Sequence, residues 1–231
     1  MAKRKKKPAQ QPFRVQVARL QDEEAMMRNL ALADPDNPAP FESSRTVLIH
    51  GPQGPLSHGR ALLLVARHRD GHIVGALTAS PSDWIRQHPG LTQLSHQDAV
   101  ANRLVTVAGV GVDPAYRRQG VAHALITEAE RYLARQGVGL LTLDHKPDLT
   151  GFYDRLGFAH GEQLVIHLPP PLPLIFQPAN VGMIHAFKPL ENNVHLRTVP
   201  GYHEPMVSGL VSRLHIPAQA VFLPGRGLSV S

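Results

Sequence analysis

The chain has 231 residues, of which 42% are hydrophobic and 18% charged, and it contains no cysteine. This length allows one sizeable core, or one domain with a smaller attachment. The lack of cysteine excludes disulfides, thiolate metal ligands and a cysteine nucleophile. No apolar run is long enough to span a bilayer, and the N-terminus lacks the apolar core of a secretory signal. We therefore expect a cytoplasmic protein without membrane contact.

The net charge of +6 is concentrated at the N-terminus. Residues 3–7 are all lysine or arginine, and subtracting these five from 24 basic residues leaves 19 against 18 acidic ones. The remainder of the chain is thus nearly neutral. We expect residues 1–12 to be a disordered, solvated tail. Weak contact of residues 3–7 with a nucleic acid is the alternative.

The first half of the chain predicts a strand, a helix and a hairpin. Residues 13–19 alternate apolar and polar side chains, which indicates a strand, and a helix follows that starts with acidic side chains and ends in a Pro-rich segment. Residues 41–60 predict a loop. Two apolar runs flank Asp70 and Gly71, and an Asp-Gly pair is a strong signal for a tight turn between two strands. Residues 81–101 are predicted to be an irregular or partly helical insertion.

The middle of the chain predicts a β-α-β unit. A valine-rich strand ends near Val112, a helix is expected from Tyr116 to Gln136, and a buried strand ends at Asp144. Such a unit implies parallel strands, whereas the hairpin implies antiparallel ones. A short helix and one or two strands complete the region up to Leu168. The expected fold class is α/β, with a mixed, mostly antiparallel central sheet around a β-α-β-α core.

The amino-acid composition of the sequence changes after Leu168. Ten of the 21 prolines lie in residues 169–231, which favours an extended linker followed by a C-terminal extension. We expect two strand-like segments there and a short helix within residues 204–217. Three arrangements are open for this extension: packing on the main sheet, covering the active site, or forming a contact in a homodimer.

The start of the long central helix carries an anion-binding signal. The first N–H groups of a helix have no internal partners and attract anions. Gly120 lets a ligand approach the backbone, and Arg117 and Arg118 offer guanidinium groups that suit phosphate. A P-loop string is absent, and Pro114 stands where a dinucleotide fingerprint needs its third glycine. The segment therefore predicts a diphosphate cradle, with an ordinary solvated helix start as the alternative.

Two motifs carry a family resemblance. The pattern of Arg117, Gly120 and Ala122 after a strand and a Val-Asp-Pro resembles motif A of the GNAT superfamily of N-acetyltransferases, which holds the pyrophosphate of coenzyme A. The string GFYDRLGF, residues 151–158, is similar to the second signature of that family and lies at the required separation. The resemblance covers residues 13–168 and implies acetyl-CoA as the acyl donor, no metal, and direct attack by a primary amine of a small-molecule or protein acceptor.

The resemblance also implies which residues hold the donor. Two backbone positions on the strand would pair with the pantetheine arm and polarise the thioester carbonyl, and the start of the helix would hold the pyrophosphate. The cofactor-binding residues implied in this way are Val110, Gly111, Val112, Arg117, Arg118, Gln119, Gly120, Val121 and Ala122. Tyr153 would protonate the departing thiolate, because a phenol with a pKa of about 10 suits that task. The alternative for Tyr153 is a plain core aromatic.

The general base is where the sequence departs from the family. Relatives often carry a glutamate near the position of Gly109, whereas residues 102–112 contain no acid. Asp144 and His145 are the nearest candidates, and histidine is the side chain that titrates near neutral pH. A water chain to solvent is equally open. Lys146 also stands near the place where relatives often have asparagine. These departures leave a second hypothesis, a CoA-binding regulatory or partner module with weak catalysis.

Overall fold

The computed structural model describes residues 12–35, 41–51, 60–169 and 174–230, so residues 1–11 of the predicted basic tail lie outside the described part. The strands are β1 Phe13–Val17, β2 Leu62–His68, β3 Ile73–Ser80, β4 Leu104–Val112, β5 Leu140–His145, β6 Ala159–Gly161, β7 Gln163–His167, β8 Leu174–Pro178, β9 Ile184–Pro189, β10 His195–Arg197, β11 Met206–Ser208, β12 Ala220–Leu223 and β13 Gly227–Val230. The helices are α1 Glu23–Ala31, α2 Glu42–His50, α3 Trp84–Gln87, α4 Leu94–Ala101, α5 Val121–Arg135 and α6 Thr150–Arg155. None of these helices is long and apolar enough to cross a membrane.

The main sheet has seven strands in the order β1-β2-β3-β4-β5-β9-β6. Only its β4–β5 pair is parallel, and the other neighbours are antiparallel. The mixed, mostly antiparallel sheet of the sequence prediction is therefore confirmed. So is the hairpin, because β2 and β3 are joined at Gly71, whose φ of 94° is a conformation that favours glycine.

Helix α5 covers one face of this sheet and packs on β1 to β4. The predicted helix start at Tyr116 is wrong, since residues 114–116 form a separate 3-10 turn in which the Asp113 carboxylate accepts a hydrogen bond from Ala115 N at 2.8 Å. The left-handed backbone of Gly120 separates this turn from α5. The buried stripe of the helix consists of Val121, Leu125, Ile126, Ala129 and Leu133.

Helices α1 and α2 cover the opposite face. Helix α2 lies in a segment that was predicted to be a loop, so that expectation is corrected for the described residues 41–51. The two glycines of β4 permit this packing. A Cβ on Gly111 would lie 1.7 Å from the carbonyl oxygen of Asn29 on α1, and one on Gly109 would lie 2.4 Å from the ring of Phe41. The close approach of α1 to β4 thus requires a glycine at position 111.

The C-terminal part of the chain completes the main sheet. Strand β9 lies between β5 and β6 and pairs with both, so the predicted extension packs on the main sheet. The predicted helix within residues 204–217 is wrong, because β11 and irregular backbone occupy that segment. Gly209 has a φ of 77°, and a Cβ there would lie 1.9 Å from Asn193 O. A continuous helix could accommodate neither the positive φ of Gly209 nor its close approach to Asn193.

A second sheet, with the order β10-β11-β7-β8, packs on the same side as α1 and α2. Its buried side chains meet Leu104, Leu140 and Phe187 from the main sheet. Arg103 fixes the junction by donating to both carboxylate oxygens of Glu191, at 3.0 and 2.7 Å, and to Leu210 O at 3.0 Å. The second sheet therefore shares a buried cluster with the main sheet.

Candidate active site

Strands β4 and β5 pair only at their beginnings. The parallel register joins residues 104–106 to residues 140–142 and goes no further. Thr106 and Thr142 form the last pair, with their hydroxyl oxygens 2.7 Å apart, and Ser82 donates to Thr106 at 2.8 Å. Beyond this point the two strands diverge. We call the opening the fork, defined by residues 107–112 on β4 and 143–145 on β5.

A β-bulge marks the β4 side of the fork. The register with β3 passes from Val107 to Gly109, so Ala108 is the extra residue and is exposed. An extra residue reverses which side chains face each side of a sheet. Accordingly Val107 before the bulge and Val110 after it both pack toward α5. The valines shift from odd to even positions at this point of the sequence, a signal that could have located the bulge.

The cradle, residues 117–122, lies directly after β4. Residues 117–120 are exposed, and a Cβ on Gly120 would meet nothing within 4 Å. The first helical hydrogen bond runs from Ala124 N to Gly120 O, so the amides of Val121 and Ala122 have no acceptor within the helix. Arg118 has a φ of 62°, a strained backbone conformation that recurs at ligand clamps. The cradle therefore combines unpaired amides, an open approach and positive charge.

Two side chains stabilise the loop that forms the cradle. Arg117 Nε donates to Val112 O at 3.2 Å, and Gln119 Nε2 donates to Ala115 O at 3.1 Å. The first contact ties the cradle to the end of β4. The nine residues predicted to bind the donor thus follow one path from the open half of β4 to the first turn of α5.

Tyr153 lies on α6, on the α5 side of the sheet, and is 7% exposed. Burial raises the pKa of its hydroxyl to about 12, so the phenol keeps its proton at neutral pH. The ring stacks on His145 with 4.8 Å between centroids and meets Phe152 and Phe158 edge-on. Tyr153 therefore packs as a core aromatic and also holds a proton close to the end of β5.

His145, the last residue of β5, has both ring nitrogens engaged. Nδ1 lies 2.8 Å from Lys146 O, and Nε2 lies 3.1 Å from Nδ1 of His160. The second nitrogen of His160 lies 3.0 Å from a carboxylate oxygen of Asp154. In this conformation neither nitrogen of His145 is open to an acceptor amine.

Asp144 points to the face opposite α5 and contacts a residue that the sequence analysis did not single out. Its Oδ1 lies 2.5 Å from Nδ1 of His185 on β9, and its Oδ2 accepts a hydrogen bond from Asn180 N at 2.8 Å. Burial acts to raise the pKa of Asp144, but these two contacts and the nearby His145 together lower it. The carboxylate is therefore ionised at neutral pH. His185 was missed because only the folding of β9 against β5 brings it here.

No three histidine or acidic side chains in the described ranges are grouped so that they could hold a metal ion.

The comparison with protein families defines the class. Residues 25–158, more than half of the chain, match the model of the Acetyltransferase (GNAT) family. The chain therefore belongs to the GNAT acetyltransferase family, and the resemblance seen in the two motifs is confirmed. A search of curated proteins found no match.

Solved structures share the fold at low sequence identity. The GNAT family N-acetyltransferase YhbS from Escherichia coli, in complex with CoA, is 20% identical, with 87% of this chain and 92% of that chain covered and a TM-score of 0.53. Ard1 from Thermoplasma volcanium is 14% identical, with 78% and 99% covered and a TM-score of 0.51. An N-acetyltransferase from Staphylococcus aureus Mu50 is 13% identical, with 78% and 99% covered and a TM-score of 0.50. At this level of identity the likeness concerns the fold alone.

Proposed function

We propose that this chain transfers the acetyl group of acetyl-CoA to a primary amine of its acceptor by direct attack. Membership of the family implies acetyl transfer in general. The observation that carries the finer proposal is the fork between β4 and β5, with its bulge at Ala108, opening directly beside the unpaired amides that begin α5. A thioester on an extended arm and a pyrophosphate both find a complementary place there.

The described residues fit acetyl-CoA, which would supply a reactive thioester. The amides of the cradle and the positive end of the helix dipole suit a pyrophosphate, and Arg117 and Arg118 add charge beside them. Beyond Thr106 no strand in the described ranges pairs with β4 on the β5 side, so backbone groups near Val110 and Val112 can pair with a pantetheine arm. The CoA complex of the Escherichia coli protein supports the same ligand here.

Three side chains have proposed roles around the thioester. Tyr153 gives its proton to the departing thiolate, and the burial that raises the pKa of the phenol also disfavours a free thiolate. His145 holds the ring of Tyr153 by stacking. Asp144 places a negative charge on the opposite face of the fork, where it attracts the ammonium group of the acceptor.

Calorimetric titration with acetyl-CoA tests the cradle. We expect micromolar binding by the wild-type chain and none by Gly120→Glu, since the new carboxylate would repel the pyrophosphate. Gly71→Glu is the matched control, because Gly71 also has a positive φ and open space but lies in the β2–β3 turn. Undiminished binding by Gly120→Glu would place the pyrophosphate elsewhere. No binding by the wild type would remove the proposal.

A CoA-binding module with weak catalysis is the second candidate, favoured by the absence of an acid within β4. Release of CoA thiol in the presence of glycinamide, spermidine or a peptide with an N-terminal alanine distinguishes the acetyltransferase from the CoA-binding module. Tight acetyl-CoA binding without thiol release from any of these amines would favour the module.

A further inference from the structure

Asp144 and His185 form a close, buried pair on neighbouring strands. They are directly opposite each other in the antiparallel β5–β9 register. Their side chains are 15% and 6% exposed, and Oδ1 lies 2.5 Å from Nδ1. The second carboxylate oxygen is fixed by Asn180 N. The carboxylate is therefore held in place from both sides.

The pair lies level with the bulge of β4. Thr106 and Thr142 are partners in the parallel register, so Ala108 and Asp144 are each two residues further along their strands. Successive side chains of a strand alternate between faces. Leu141 and Leu143 pack toward α5, so Asp144 points to the other face. The pair thus flanks the fork on the side away from α5 and Tyr153.

The charge on Asp144 determines which nitrogen of His185 carries a hydrogen. An ionised carboxylate has no proton to offer, so a nitrogen at 2.5 Å must be the protonated one. Neutral His185 then has its lone pair on Nε2. Nε2 is buried and has no hydrogen-bond partner among the described residues, although most buried polar atoms in proteins have one. Nδ1 and Asp144 Oδ1 are at ion-pair distance but lie outside hydrogen-bond geometry. His145, in contrast, has neither nitrogen available.

The nearby carboxylate of Glu204 also has hydrogen-bond partners of its own. Gly161 on β6 is opposite His185 in the β6–β9 register, and Glu204 Oε1 lies 3.2 Å from the point that a Cβ of Gly161 would occupy. That oxygen accepts from Glu162 N, and the other lies 3.2 Å from the hydroxyl of Tyr202. The titratable groups on the strands next to His185 include Asp144 on β5, followed by His145, and Glu204 beside Gly161 of β6.

We propose that Nε2 of His185 accepts a proton from the acceptor ammonium, with Asp144 as the residue that positions the ring. This inference rests on the proposed function. Loss of the proton gives the neutral amine, whose nitrogen forms the new C–N bond as the C–S bond of the thioester breaks. Of the two protons that the ammonium loses overall, one ends on the thiol and the other leaves through His185 to solvent. The pair supplies the base that β4 lacks.

Nitrogen NMR of the full-length chain labelled with ¹⁵N-histidine tests the arrangement without activity. The His185 signals are assigned by their loss in His185→Asn. We expect the neutral ring of the wild type to carry its hydrogen on Nδ1, and Asp144→Asn to shift the population toward the other tautomer. A wild-type ring with its hydrogen on Nε2 would overturn the proposal.

Kinetics test the role of the nitrogen. His185→Asn retains an amide near Nδ1 but removes Nε2, and the rate of thiol release is followed with whichever of glycinamide, spermidine and the peptide with an N-terminal alanine reacts fastest. We expect kcat/KM to fall by about 100-fold and the acid limb of its pH profile to disappear, with calorimetric affinity for acetyl-CoA unchanged. His195→Asn, an exposed histidine on β10, is the control and should behave as the wild type.

The outcomes separate the two proposals. Wild-type kinetics and pH profile in His185→Asn would overturn the role of His185 while leaving acetyl transfer intact. If the wild type binds acetyl-CoA but none of the three amines reacts, the proposed function fails. The tautomer of His185 measured by NMR then decides whether Asp144 positions the ring as proposed. Circular dichroism monitors folding, and His185→Gln replaces any variant that does not fold.

Discussion

The two faces of the main sheet are assembled in different ways. On one face, β4, α5, β5 and α6 follow one another in the chain and provide the cradle and Tyr153. The other face is covered by α1 and α2 from the N-terminal half and by a second sheet built largely from the C-terminal part, and β9 brings His185 to Asp144. The face that carries the cradle is therefore built from contiguous residues, whereas the opposite face is composite. Changes in β9 should alter stability and acceptor chemistry without altering donor binding.

The largest expected effect tests whether β9 belongs to the core. Phe187 on β9 is fully buried between the two sheets, so Phe187→Ala should lower the free energy of unfolding by about 3–5 kcal/mol. Phe222→Ala is the control, because Phe222 is only partly buried on β12 of the small β12–β13 sheet. Chemical denaturation measures both. An equal or smaller loss for Phe187→Ala would mean that β9 is peripheral.

The next effect tests the packing of α1 on β4. Gly111→Ala brings a Cβ to 1.7 Å from Asn29 O, so α1 must move, at an expected cost of about 1–3 kcal/mol in unfolding free energy. Gly151→Ala is the matched control. Gly151 lies exposed on α6, where alanine should stabilise the helix by about 0.5–1 kcal/mol. Similar thermal denaturation curves for the two variants would contradict the close approach of α1.

The same comparison shows which parts of the structure the sequence could predict. The Asp70-Gly71 turn, the β4-α5-β5 unit and the cradle depend on residues close together in the chain, and local signals such as glycine, capping and apolar spacing located them. The place of β9 depends on pairing with strands far away in sequence. Many apolar strands could form the same backbone pairing, so no local feature of the sequence identifies the strands that flank β9. His185 therefore looked like an isolated histidine in a short strand.

The boundaries that were wrong have local physical reasons. Residues 204–217 have an apolar pattern compatible with a helix, but the positive φ of Gly209 and its close approach to Asn193 prevent one. The helix predicted from Tyr116 begins later, because the chain must first make the strained turn at Arg118 and Gly120. That turn forms the cradle itself, so the error in the helix start falls at the proposed binding site.

A smaller effect tests the contiguous face. Tyr153→Phe removes the hydroxyl and keeps the stacked ring, so we expect kcat for thiol release to fall by at least about tenfold with unchanged calorimetric affinity for acetyl-CoA. Tyr132→Phe is the control, since Tyr132 on α5 packs against the same core cluster. If both variants retain the wild-type rate, Tyr153 is a core aromatic alone.

The smallest expected effect concerns Asp144 and pH. Burial raises its pKa, but His185 and Asn180 N outweigh burial and hold the pKa below its ordinary value. A folded-state pKa below the unfolded value of about 3.9 stabilises the native state above that pH, and this contribution is lost as the pH falls through the folded pKa. The difference in unfolding free energy between the wild type and Asp144→Asn should therefore be present at pH 7 and shrink below about pH 4.

Asp70→Asn is the control for that measurement. The pKa of Asp70 is lowered by the N–H of His72 and by His68, but Asp70 is exposed in the β2–β3 turn. Solvent screens such contacts, so its substitution should change the pH dependence of unfolding less than Asp144→Asn does. A difference for Asp144→Asn that stays constant from pH 7 to pH 3 would mean that the carboxylate is not ionised against His185. The pair of Asp144 and His185 would then lack the negative charge that is proposed to fix the tautomer of His185. The composite face would keep only its packing role.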